Sequence, residues 1–136
     1  MSKLSGWFAA VLLVAVFFAA DAGSQPSSGI ARFRQTQVSH TNQGDFPGAT
    51  EVWQERVRLL HRAVVAGTGS IACIHVTAKT SQCFGSYILP LGRIKVLGEF
   101  FGRSSYTLAI VGGIGAYTGA TGVVTFVPGL VTFFIV

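Results

Sequence analysis

The side chains able to do chemistry are few and lie far apart along the chain. His40, His61 and His75 each stand alone in strand-like surroundings, with no carboxylate close in sequence to make an acid–base pair. They read as surface or satisfied core groups. Asp45, Glu51, Glu55 and Glu99 are the acidic residues beyond position 22, and no spacing among them marks a catalytic cluster. No catalytic residue is assigned. Cys73, His75 and Cys83 invite a metal reading, but a fourth ligand is missing, and zinc sites normally show paired C-x2-C or H-x3-H spacing. No metal is expected. Trp53 and Tyr87 read as packing residues, although the three tyrosines, Tyr87, Tyr106 and Tyr117, could guide a phenolic molecule.

Gly112-Gly-Ile-Gly-Ala-Tyr-Thr-Gly-Ala-Thr-Gly122 is the most distinctive stretch. A phosphate-cradling loop needs G-x-G-x-x-G opening a helix within a βαβ unit. Here the step from Gly115 to Gly119 is one residue too long, and a strand-like run follows. No cofactor is expected. The glycines instead suit positive φ and close strand approach in a bent hairpin.

Composition bounds the scaffold that must hold these residues. With 136 residues, 50% hydrophobic and only 11% charged, the chain has room for one domain and is too apolar to be disordered. Its 17 glycines argue against a helical bundle or coiled coil. Net charge is +5, with the positive residues dispersed apart from Arg56, Arg58 and Arg62 near Glu51 and Glu55. Nucleic-acid binders cluster their basic residues on a face, so the excess reads as a solubility feature and no nucleic-acid partner is expected.

Residues 1–22 read as a secretory signal peptide. Lys3 precedes a 13-residue apolar run from Trp7 to Ala19, and Ala20-Asp-Ala22 fits the small-x-small cleavage rule. The run is shorter than the roughly 20 apolar residues a membrane span requires, so no stable membrane insertion is expected after cleavage. Secretion gives the two cysteines a meaning. Cys73 and Cys83 flank a turn around Ala78-Lys-Thr80, and a hairpin centred there would set them opposite each other as a disulfide.

Residues 23–29 read as a flexible leader, and strand-like runs then follow one another over 30–136. Ile30–His40 alternates weakly, and 41–48 is rich in turn residues. Over 50–66, Trp53, Val57, Leu60 and Val64 repeat at helical spacing, yet the strand character of everything downstream favours a strand. Runs over 71–77, 84–89, 93–101, 106–111, 122–127 and 130–136 are rich in Val, Ile, Phe, Thr and Tyr, with Gly/Pro turns between them. Short strands at this spacing indicate a sandwich or a barrel. Several, such as Leu108–Val111, are apolar on both faces and need cover on both sides.

The stretch Ala109–Val124 resembles the signature of the dirigent and allene oxide cyclase barrel superfamily, approximately G-G-T-G-x-Y-x-G-A-R-G. Gly67-Thr-Gly-Ser-Ile-Ala-Cys73 resembles that family's glycine-rich approach to a cysteine. The segment from Cys83 through Leu89-Pro-Leu-Gly-Arg-Ile94 to Gly98 resembles its C-x5-L-P-x-G-x-I segment. The likeness spans about residues 63–127 and is strongest to compact secreted, bacterial-type members. Ile114 replaces the signature Thr, and Thr121 stands where Arg is frequent, so any role of that guanidinium is changed or lost.

The resemblance implies an all-β fold, an eight-stranded antiparallel β-barrel, commonly trimeric, with Gly112, Gly113, Gly115, Tyr117, Gly119 and Gly122 as structural signature positions. It also implies a secreted, dirigent-like or cyclase-like protein. Its lumen would hold a hydrophobic small molecule and steer stereoselective cyclisation or coupling, largely by positioning. The alternative is a non-catalytic barrel that binds an apolar ligand or is purely structural. An open pocket with a converging polar group would favour chemistry, and a filled lumen would favour structure. Along 93–101, strand alternation puts Ile94, Val96, Gly98 and Phe100 on one face and Arg93, Lys95, Leu97 and Glu99 on the other. The first face is expected inward, with Ile94, Val96, Phe100 and Tyr106 as ligand-lining candidates and Gly98 leaving space.

Overall fold

The computed structural model describes residues 28–102 and 104–136. The expected signal peptide, and all of the leader but Ser28 and Gly29, lie outside the described residues. Every regular element among those described is a strand: β1 (Gly29–Asn42), β2 (Thr50–Leu59), β3 (Val65–His75), β4 (Ser81–Leu89), β5 (Gly92–Phe100), β6 (Tyr106–Gly115), β7 (Gly122–Val127) and β8 (Leu130–Ile135). Each pairs with the next, and β8 pairs antiparallel with β1 to close an eight-stranded barrel. Closure leaves no exposed sheet edge.

The helical spacing over 50–66 does not form a helix. Trp53 and Val57 lie in β2, whereas Leu60 and Val64 fall in the turn to β3. Strand period prevails because Glu51, Glu55 and Val57 alternate inward, buried at 7%, 4% and 0% exposure. Cys73 and Cys83 are direct partners across the β3–β4 hairpin and are joined as a disulfide.

The lower half of the lumen is filled. Val57, Ile71, Tyr87, Ile94, Val124, Val131 and Phe133 are fully buried there, and Phe33 meets Phe133 edge to face at 5.9 Å. In β5, Ile94 and Val96 face this core, while Lys95, Leu97 and Glu99 are exposed. The space over Gly98 is not open, because the Leu108 side chain lies 3.0 Å from where a Cβ would stand. Within the glycine-rich segment, β6 runs on to Gly115 instead of turning at Gly112. A Cβ at Gly122 would run into the Phe134 carbonyl oxygen, so only glycine allows the β7–β8 approach there. Tyr117 is buried. Ile114 and Thr121 are exposed, so neither departure from the signature reaches the lumen.

The outer wall carries an apolar belt in a single register. Phe84 faces Leu97, Leu97 faces Ala109, Ala109 faces Val123, Val123 faces Phe134, and Phe134 faces Ile30. Phe84, Leu97 and Ile30 are exposed at 52%, 47% and 55%.

Candidate functional site

Strand β2 supplies the two buried carboxylates of the lumen. Its inward face reads Glu51, Trp53, Glu55, Val57, which places the two carboxylates about 13 Å apart along the strand, too far for a shared-proton dyad. Arg56 and Arg58 take the outward face, so the basic residues near Glu51 and Glu55 in sequence are turned away from both. In β1 the register slips at Val38, between Gln37 opposite Glu55 and Ser39 opposite Gln54. That bulge inverts the alternation. His40 and Asn42, not Ser39 and Thr41, therefore join Trp53 and Glu51 on the lumen side.

Glu55 sits at the floor of the open half. The Tyr87 hydroxyl donates to Glu55 Oε2 at 2.7 Å, and both side chains are buried. The two residues are on β2 and β4, with β3 between them. Glu55 pairs with Gly69, and Gly69 pairs with Tyr87. A Cβ at Gly69 would strike the Tyr87 ring, so glycine at this position is what lets the phenol cross β3. Burial raises the Glu55 carboxyl above its ordinary range, opposed by hydrogen bonds to Tyr87 and Gln35. Burial, then the neighbouring Glu55, push the Tyr87 phenol well above its usual value. Tyr87 is thus a donor, and the protonated form of Glu55 is favoured relative to an exposed glutamate.

Above Glu55 lies a cavity of about 380 Å³ whose walls include Gln35, Gln37, Trp53, Phe100, Tyr106 and Phe126. The aromatic rings form a continuous series. Trp53 meets Phe100 edge to face at 5.9 Å, Phe100 meets Tyr106 at 4.8 Å, and Tyr106 stacks on Phe126 at 4.4 Å. Burial, followed by the charges of Glu55 and Glu51, raises the Tyr106 phenol as well. Of the ligand-lining candidates, Phe100 and Tyr106 lie in this wall, and Ile94 and Val96 lie within the filled core.

A second cavity, of about 320 Å³, shares Trp53 and Phe100 with the first and adds Asp45, Glu51, His75, Lys79 and Ser81. His40, stacked on Trp53 at 5.2 Å, lies 2.6 Å from Glu51 Oε1, to which the Asn42 amide also donates at 3.2 Å. His40 and His75 thus gain a carboxylate that is absent from their sequence neighbourhoods. His61 lies exposed in the β2–β3 turn. Among the described residues no group of three or more His, Cys, Asp or Glu is placed to hold a metal ion.

What sequence reasoning missed is the β2 pair, Glu51 and Glu55. The available signal was the alternation Glu51-x-Trp53-x-Glu55-x-Val57, obscured by the helical spacing of the apolar residues.

No family model matches the chain, and no curated protein matches it. Among solved structures, a pyocyanin demethylase superposes with a TM-score of 0.71 at 15% identity, over 79% of this chain and 99% of that one. A pterocarpan synthase dirigent protein superposes with a TM-score of 0.52 at 12% identity, over 76% of this chain and 88% of that one. The chain has the dirigent-like barrel fold. At these identities the likeness is one of fold.

Proposed function

We propose that the protein holds an apolar small molecule in the aromatic mouth of its barrel and steers a cyclisation or coupling of that molecule toward one stereochemical outcome. The observation that carries this reading is the 380 Å³ cavity in which Trp53, Phe100, Tyr106 and Phe126 stand over the buried Glu55 carboxyl. Aromatic faces hold a flat apolar guest by area and offset stacking. The buried Glu55 carboxyl sets one polar group within reach of the polar atom such a guest presents. Holding a flexible precursor in a single reactive fold contributes rate without an acid–base pair, because orientation alone lowers the entropic barrier. A purely structural barrel has no need of an open upper lumen with a polar group converging on it. The two fold relatives are named a pyocyanin demethylase and a pterocarpan synthase dirigent protein, names that accord with this reading.

Calorimetric titration with naphthalene tests the guest. Saturable binding that weakens in Trp53→Ala is the expected result, and heat no larger than dilution for the wild type would overturn the reading. Chiral analysis of any product formed in the presence of the protein then separates steering from storage.

The reading extends to a secreted homo-oligomer, a trimer by resemblance. The Cys73–Cys83 disulfide accords with an oxidising compartment. The outer belt from Phe84 round to Ile30 supports self-association, since exposed contiguous apolar surface of this kind marks an interface. Sedimentation at micromolar concentration should give a multiple of the chain mass, and a monomer would remove this extension.

A further inference from the structure

The second cavity has a histidine in its wall, which the aromatic one lacks. His75 and Ser81 face each other across the β3–β4 hairpin, and Ser81 Oγ lies 3.0 Å from His75 Nδ1. That contact occupies one ring nitrogen. The other, Nε2, is buried with no hydrogen-bond partner and stands 3.6 Å from Glu51 Oε2. This is longer than a direct hydrogen bond. Both side chains are only 9% exposed. An orphaned polar atom in such a place is costly, so each one calls for a partner supplied by something else.

Glu51 is already oriented by its other oxygen. His40 and Asn42 both engage Oε1, which leaves Oε2 directed at His75. Electrostatics then selects the His75 tautomer. A bare Nε2 would set its lone pair against a carboxylate oxygen. A proton on Nε2 makes that contact attractive and leaves Nδ1 to accept from the Ser81 hydroxyl. The cavity therefore presents one donor and one acceptor 3.6 Å apart. A single oxygen set to one side of the line between them reaches both at about 2.8 Å.

We infer that this cavity is a hydroxyl-recognition site: it takes a phenol, enol or alcohol oxygen that accepts from His75 Nε2–H and donates to Glu51 Oε2. An ether oxygen satisfies only the first contact, an ammonium only the second, and a hydrocarbon neither. The apolar part of the wall, Trp53 and Phe100, is shared with the aromatic cavity, so the hydroxyl belongs to the apolar guest itself. The inference rests on the reading that the lumen takes such a guest, and it names the functional group that guest must carry.

Calorimetry with 2-naphthol, 2-methoxynaphthalene and naphthalene separates the two claims. The expected wild-type result is 2-naphthol binding at least about tenfold tighter than 2-methoxynaphthalene, a hydrogen-bond contribution of about 1.4 kcal/mol. His75→Phe removes the donor that both oxygenated compounds use and should weaken each of them toward the naphthalene value, and His75→Gln, which keeps an N–H donor, should restore part of both. A ¹⁵N shift of His75 Nε2 on adding 2-naphthol to wild type gives a readout that does not depend on any variant folding. If all three compounds bind the wild type equally, one water satisfies the pair and the hydroxyl site is overturned while the lumen reading stands. If none binds, the lumen reading falls and takes this inference with it.

Discussion

Tyr87 reaches Glu55 across an entire strand. Its hydroxyl on β4 donates to a carboxyl on β2 at 2.7 Å, over a β3 residue, Gly69, that has no side chain to block the ring. Tyr87→Phe removes the donor and leaves a buried carboxyl oxygen without that partner. The expected loss is about 1–3 kcal/mol of unfolding free energy by denaturant titration. Because the Tyr87 hydrogen bond lowers the Glu55 value, its removal should move the carboxyl further up, read as a later ¹³C titration midpoint. A midpoint that stays put or falls would mean the hydrogen bond does not act on Glu55.

Gly69→Ala tests the same relationship from the strand between. The φ of Gly69 lies outside the left-handed region, so the cost is the clash with the Tyr87 ring and not backbone strain. Forcing one methyl into packed space typically destabilises by about 1–3 kcal/mol. If the clash acts by displacing the phenol from Glu55, the double variant with Tyr87→Phe should lose less than the sum of the singles. Strict additivity would show the two positions to be independent.

The barrel was legible in the sequence, whereas the chemistry within it was not, and Val38 is a main reason. Period-2 alternation from Ala31 and Phe33 continues through Gln35 and Gln37. Carried forward, it would turn Ser39 and Thr41 inward and leave His40 facing solvent. One bulged residue reverses this and sets His40 on Trp53 and Glu51. Nothing in the local composition of 30–42 announces the slip. The Glu55–Tyr87 contact was hidden differently, by its separation of 32 residues, which only the registry of three strands brings together. The cysteine pair, by contrast, depends on one short hairpin, and its spacing sufficed.

Glu55 should make stability depend on pH in a definite direction. Burial raises its value in the folded state above the ordinary 4.5. The folded chain therefore holds the proton more tightly than the unfolded chain does, and this contribution is fully present below the unfolded value. It is lost as pH rises through the folded one. Glu55→Gln has no proton to lose. Its melting temperature relative to wild type should be least favourable near pH 4 and should improve steadily toward pH 8. A difference that is flat with pH, or improves toward acid, would contradict the burial argument.

The Cys73–Cys83 bond closes a short loop, with a sequence separation of 10. Cross-linking a loop of that length restricts the unfolded chain by about 2–3 kcal/mol. Reduction, or the paired change Cys73→Ala with Cys83→Ala, should lower the denaturant midpoint accordingly without changing the fold. Intact-mass analysis after alkylation should find no free thiol before reduction and two after it.

Phe100 and Glu99 are neighbours in sequence and opposites in position. Phe100 belongs to the walls of both lumen cavities and contacts Trp53 and Tyr106, whereas the exposed Glu99 accepts from Gln82 on the outer face. Phe100→Ala should join the 380 Å³ and 320 Å³ spaces into one and remove the edge that holds a guest against Trp53. Loss of a buried aromatic costs about 3–5 kcal/mol when the ring is fully enclosed. Phe100 is only partly buried, so a smaller loss is expected. Naphthalene affinity should fall by about tenfold, equivalent to about 1.4 kcal/mol. Glu99→Ala should change stability by no more than about 0.5 kcal/mol and binding not at all, as surface substitutions usually do. Calorimetry on the two variants decides the matter, since weaker binding in Glu99→Ala than in Phe100→Ala would place the guest outside the barrel.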